Sequence, residues 1–212
     1  MSMFEIVFSP TGGTEKVSGL VTGALDGNIV TVDLTDSGLD FHGVSMAKGD
    51  VAVISVPSYA DRVPAVAVER LGMVRGNGAR AVLVCVYGGR AFEDTLIELE
   101  DVAKRAGFRM VAAVSAIAEH SVARQFAAGR PDAQDVAQLS EFAQRIRQKL
   151  LDEAASEPSI PGNRPYKQVG GHSMVPHATE DCVSCGACAA SPYARRMLAN
   201  LTLTNLPPLP RC

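Results

Sequence analysis

The chain has 212 residues, enough for one sizeable core and a small appendage, and too few for a long multidomain assembly. Its 47% hydrophobic and 20% charged residues are ordinary globular composition and exclude disorder throughout. A net charge of −3, the lack of an apolar run of bilayer length and an N-terminus without an export signal lead to the expectation of a soluble, cytoplasmic protein with neither nucleic-acid nor membrane partners.

Strand-length apolar runs fall at residues 5–8, 28–34, 50–56, 79–86 and 110–117. The third and fourth are nearly continuous in Val, Ala, Leu and Ile, as strands covered on both faces require. Helical spacing separates them at 15–25, 64–74, 92–106 and 132–155, for example Leu96, Leu99, Ala103 and Ala106, or Val136, Leu139, Phe142, Ile146 and Leu150. Pro64 suits a first helical position and Gly107 the residue just past a helix end. Alternation of this kind predicts an α/β fold with a doubly wound five-stranded parallel sheet. Right-handed crossovers then place every strand's carboxyl end on one edge. A ligand there would meet loops 9–14, 57–63, 87–92 and the long stretch around 120–130.

The first of these loops, Ser9-Pro10-Thr11-Gly12-Gly13-Thr14, combines hydroxyls with N–H groups at the positive end of a helix dipole, an arrangement suited to an anion. Read otherwise, it is a Gly-rich turn with a threonine cap. It holds no lysine and fits neither GxxxxGK[ST] nor GxGxxG, which argues against a nucleoside triphosphatase and the usual dinucleotide site and favours a monophosphate. Tyr59 could stack on a planar ring, and Gly88 and Gly89 would let backbone amides approach it; either aromatic, Tyr59 or Tyr87, could equally be loop packing. His120 and Arg130 face the same edge, and no catalytic role is assigned to either: a lone His reads as a structural residue and Arg130-Pro131-Asp132 as a helix start.

Ser9-x-Thr11-Gly12-x-Thr14 directly after a first strand resembles the phosphate loop of flavodoxins, which bind flavin mononucleotide (FMN) non-covalently. Residues 57–64 and 87–94 stand where flavodoxins hold the isoalloxazine ring. Ala118-Glu119-His120-Ser121 and Gly129-Arg130-Pro131-Asp132 look more narrowly like the flavodoxin-like half of bacterial flavodoxin–ferredoxin fusion proteins, and the likeness covers residues 1–188. The resemblance implies a flavodoxin-like sheet of order 2-1-3-4-5. It also implies an FMN site made by Ser9, Thr11, Gly12, Gly13 and Thr14 with Pro57, Ser58, Tyr59, Ala60, Tyr87, Gly88, Gly89 and Arg90.

Beyond residue 155 the periodicity vanishes. Pro158, Pro161, Pro165 and Pro176 with Gly162, Gly170 and Gly171 mark an irregular linker over 156–179 between a domain of residues 1–155 and a segment of 180–212. That segment opens with Cys182, Cys185 and Cys188, the CxxCxxC run that supplies three thiolates to a 4Fe-4S cluster. A zinc knuckle would want a further Cys or His at ligand spacing. A ferredoxin run would continue through three residues to Cys-Pro, whereas this chain reads Ala189-Ala190-Ser191-Pro192, and only Cys212 follows. The cluster would therefore lack its fourth ligand and be incomplete unless Cys212 folds back or a non-protein group serves. Arg195, Arg196 and Arg211 without an acid make the tail foreign to the rest, and the chain is expected to leave its relatives' frame near Ala190 through a frameshift or truncation.

The expected function is electron transfer coupling an iron–sulfur cluster to an FMN site, with a redox partner protein of unknown identity. The alternatives are an FMN-dependent NAD(P)H oxidoreductase acting on a small acceptor such as a quinone, and a cofactor-free remnant.

Overall fold

A computed structural model describes residues 2–25, 28–152 and 154–168, together with Val183. Five strands and four helices alternate: β1 (Met3–Val7), α1 (Gly13–Leu25), β2 (Ile29–Asp33), β3 (Val51–Pro57), α2 (Ala65–Met73), β4 (Arg80–Tyr87), α3 (Thr95–Arg105), β5 (Arg109–Ile117) and α4 (Ala133–Leu151), with a 3-10 turn at Phe41–Gly43. The sheet is parallel throughout and ordered β2-β1-β3-β4-β5. This is the doubly wound arrangement that the alternation predicts.

Both of its faces are covered by helices. Every residue of β3 is buried, as is Ala81–Val86 of β4, so the continuous apolar runs sit where both faces are covered. Ile6, Ile54 and Leu83 point to the face closed by Leu71 of α2 and Leu99 of α3. Val53, Val82 and Val84 point the other way, onto Val17 and Val21 of α1 and Leu139, Ala143 and Ile146 of α4. A fully buried aliphatic side chain stabilises the fold by about 1.5–3 kcal/mol, so these two clusters hold the strand ends in place for the loops that leave them.

Helix boundaries differ slightly from their sequence limits. Pro64 caps α2 instead of opening it. Gly107, with φ of +88°, ends α3 as predicted: its N–H donates to the Lys104 carbonyl at 3.0 Å and the next, from Phe108, to Ala103 at 3.0 Å. Helix α4 starts one residue later than its acidic cap Asp132 and stops at Leu151. No helix among the described residues is long and apolar enough to cross a membrane.

The described part of the expected linker has no helix or strand, yet it is fastened along α3. Ile160 packs against the core, Arg164 bonds Asp101 at 2.7 Å and Glu100 at 2.9 Å, and Lys104 reaches Glu157 at 2.9 Å. Cys182, Cys185 and Cys188 lie outside the described residues, as do the tail beyond them and Cys212.

Candidate functional site

The carboxyl ends of β1, β3, β4 and β5 surround a cleft of about 860 Å³. Its wall comes from the four loops that follow these strands, as the parallel topology requires.

At one end lies the start of α1. Gly12 takes a φ of +84°, which turns the chain from β1 into the helix. Ser9, buried behind the loop, accepts the Glu15 N–H on its hydroxyl at 2.9 Å and so caps the helix from inside. Thr14 is 5% exposed and lines the cleft, and its hydroxyl has no hydrogen-bond partner among the described residues. The backbone N–H groups of Thr11, Gly12, Gly13 and Thr14 likewise take no acceptor among them. A buried hydroxyl and four N–H donors at a helix N-terminus form a neutral cradle for an anion. The neighbouring Lys16 ammonium instead reaches the Pro131 carbonyl at 3.4 Å.

The opposite wall starts with a tight reversal after β3. Tyr59 and Arg62 pair across it, N–H to carbonyl in both directions at 2.9 and 3.1 Å, and the two residues between them, Ala60 and Asp61, have φ of +49° and +69°. Two consecutive non-glycine residues in left-handed backbone are unfavourable unless neighbouring contacts hold them. Asp61 supplies such contacts: its carboxylate accepts from Arg90 at 2.5 Å and from Lys167 at 2.6 Å. Burial pushes its pKa up, but these hydrogen bonds outweigh it and hold the carboxyl below its ordinary range. The turn leaves Tyr59 41% exposed on the cleft.

Between these ends, Tyr87 lies 5.4 Å from Phe92, ring centre to ring centre, so its ring is also part of the packing of its own loop. A methyl group on Gly88 would come within 2.6 Å of the His120 ring, so the close approach of β4 to the loop after β5 depends on that glycine. His120 accepts the N–H groups of Val122 and Ala123 on Nδ1 at 3.2 and 3.0 Å. It holds its own loop, which is the structural role its sequence context suggested. Arg130 does likewise, binding Asp135 in the first turn of α4.

Of the sequence-predicted residues, Thr11, Gly13, Thr14, Pro57, Ser58, Tyr59, Ala60, Tyr87, Gly88, Gly89 and Arg90 line the cleft. Ser9 and Gly12 shape the loop from behind and do not line it. The loop around 120–130 lines the far wall as expected, but the named site residues do not include its Val122 and Phe126, which stand 71% and 58% exposed. Two large apolar residues inside the otherwise polar loop around 119–130 were the available signal. Among the described residues no group of His, Cys, Asp and Glu could hold a metal ion.

No protein-family model matches the chain, and no curated protein does. Solved structures do match. Oxidised flavodoxin 1 from Bacillus cereus aligns with a TM-score of 0.50 at 13% identity, covering 70% of this chain and 98% of that one. The apo form of an NADH:FMN oxidoreductase aligns with a TM-score of 0.51 at 14% identity, covering 72% and 91%. Together with the strand order, these similarities identify the fold as flavodoxin-like.

Proposed function

We propose that the chain is an FMN-binding redox protein whose cleft takes the phosphate at residues 11–14 and the isoalloxazine ring against Tyr59 and the backbone of 87–90. The observation that carries this reading is the Thr14 hydroxyl, buried on the cleft without a hydrogen-bond partner among the described residues. The cradle's donors are neutral and suit a phosphate monoester; it has no cation of the kind that triphosphate loops use. A volume of about 860 Å³ suits a single mononucleotide-sized ligand. When bound, the flavin supplies the electron chemistry, and the chain's own residues bind, orient and partly desolvate it.

The same proposal assigns Cys182, Cys185 and Cys188 to an iron–sulfur cluster that exchanges electrons with that site, on the strength of their spacing. A supporting circumstance is that Lys167, near the end of the described chain, sits at the rim of the cleft against Asp61 and Glu93, at 2.6 and 2.8 Å. The described chain therefore reaches residue 168 beside the proposed ring site. A second reading, hydride transfer from a nicotinamide to a small acceptor, draws support from the exposed apolar wall of Val122 and Phe126, which could receive a second ring.

The test compares FMN with riboflavin, which lacks the phosphate, by fluorescence titration of the wild type and of Thr14→Val. FMN should bind more tightly than riboflavin, and the substitution should weaken FMN about tenfold while leaving riboflavin unchanged, as loss of one hydrogen bond to a charged group implies. Equal affinities for the two ligands, or binding of neither, would overturn the reading. Anaerobic reconstitution with iron and sulfide should add a dithionite-bleachable absorbance that Cys185→Ser removes. Rapid bleaching of bound flavin by NADH alone would favour the second reading.

A further inference from the structure

The segment that follows α4 makes no helix or strand, yet its last described residues grip the turn that presents Tyr59 to the cleft. Lys167 makes four hydrogen bonds. Its ammonium donates to Asp61 at 2.6 Å and to Glu93 at 2.8 Å, its carbonyl accepts from Arg62 at 2.8 Å, and its N–H donates to Asp94 at 2.7 Å. It thus holds the turn at both Asp61 and Arg62. Beside it the Arg62 guanidinium lies 4.7 Å over the Tyr166 ring and is clamped by the buried Glu98 at 2.7 Å. Asp94, at the start of α3, does not cap that helix with its side chain; its carboxylate is taken by the N–H of Asn163 at 2.8 Å and by that of Lys167. Farther back, Gly162 presses on α3 so closely that a methyl group there would lie 2.3 Å from Ile97.

From this geometry we infer that residues 157–168 are a buttress of the cleft, with Lys167 a positioning residue that holds the Ala60-Asp61 turn in its left-handed backbone and thereby sets the place of Tyr59. The inference deepens the flavin reading, but its mechanical part stands on the protein alone. A turn with two non-glycine residues at positive φ needs such an outside hold, because its local backbone preference opposes it. Arg90, itself exposed, also grips Asp61 and shares Glu93 with Lys167, but it makes no hydrogen bond to Arg62 among the described residues.

The test uses the full chain with three substitutions, Lys167→Met, Lys167→Arg and Gly162→Ala, and two readouts. The first is amide hydrogen exchange without flavin. Lys167→Met should speed exchange at residues 59–62 about fivefold while β3 and β4 keep theirs, since a partly exposed ion pair contributes on the order of 1 kcal/mol. Lys167→Arg should restore protection. Gly162→Ala, remote from the turn, should produce the same local loosening by lifting the segment from α3. The second readout is flavin affinity, which Lys167→Met should weaken equally for FMN and riboflavin, because the ring-side wall and not the phosphate cradle has moved. Unchanged exchange at 59–62 in Lys167→Met, or exchange that rises equally across the sheet, overturns the inference. If the wild type binds no flavin, the flavin reading fails while the exchange arm still decides the buttress.

Discussion

Gly88 has no room for even one more carbon. A Cβ there would meet His120 at 2.6 Å on the ring and 2.9 Å on its own Cβ, and the ring is fixed by two N–H groups donated to Nδ1. Gly88→Ala must therefore push the loop after β5 away from β4. A cost of about 1–3 kcal/mol is expected, the range for overpacking a filled site, and urea unfolding will show it as a lower midpoint. Gly12→Ala makes the instructive contrast: nothing lies within 4 Å of the new methyl, and its cost comes only from a φ of +84°. About 1 kcal/mol is expected there, with the cleft wall unmoved. An unchanged midpoint for Gly88→Ala would show that the His120 loop yields freely. Both glycines were visible in the sequence as members of loops, but whether each serves space or dihedral angle depends on what faces it. The same holds for the hydroxyls of the first loop: Ser9 and Thr14 read alike in the sequence, and only the fold gives one to the helix and leaves the other open to the cleft.

At the level of single elements, α4 shows how much a local pattern can carry. Asp132 caps the helix by accepting the N–H groups of Gln134 and Asp135 at 2.9 and 3.0 Å, and Asp135 returns the bond by accepting the Asp132 N–H at 2.8 Å. Arg130 adds its guanidinium to Asp135. The Arg130 hydrogen bonds, outweighing burial and helped by the Asp132 N–H, hold the Asp135 carboxyl down at about 2 against an ordinary 3.8. A carboxyl depressed by folding contributes stability that is present above its unfolded value and is lost as the pH falls through its folded value. Asp135→Asn should therefore unfold more easily than the wild type above about pH 4, with the gap closing toward about pH 2, in urea titrations across that range. A gap that stays constant with pH would remove the ionised carboxylate from the account. The start and period of this helix were legible because cap and period lie within one stretch of chain, whereas its end, expected at 155, falls at Leu151. The strands were legible for a related reason: β3 and β4 are buried on both faces, and only unbroken runs of apolar, mostly β-branched residues satisfy that.

Across the whole molecule two kinds of cohesion meet, and they differ in their response to salt. The sheet and its helices are held by apolar burial, in two clusters from which charged side chains are excluded. Residues 157–168 are held to α3 and to the cleft rim largely by charge: Glu157 to Lys104, Arg164 to Asp101 and Glu100, Lys167 to Asp61 and Glu93, with Ile160 as the apolar contact to the core. Contacts of this second kind are invisible to periodicity, because each joins residues more than fifty positions apart and needs only one charge at each end; a stretch rich in Pro and Gly then reads as a plain linker. The basic members of these pairs are 42 to 50% exposed, so their attraction is open to screening. At about 1 M salt the screening length falls to roughly 3 Å, from roughly 10 Å at about 0.1 M, whereas apolar burial does not weaken. Raising salt should thus speed hydrogen exchange in 157–168 and in the Tyr59 turn together, while β3 and β4 remain as protected as before. Sodium chloride is the suitable salt, because sulfate would also strengthen burial and mask the effect. If segment and turn respond separately, the ion pairs of Lys167 do not couple them. If neither responds, Ile160 and the close seat of Gly162 on Ile97 hold the segment without help from charge.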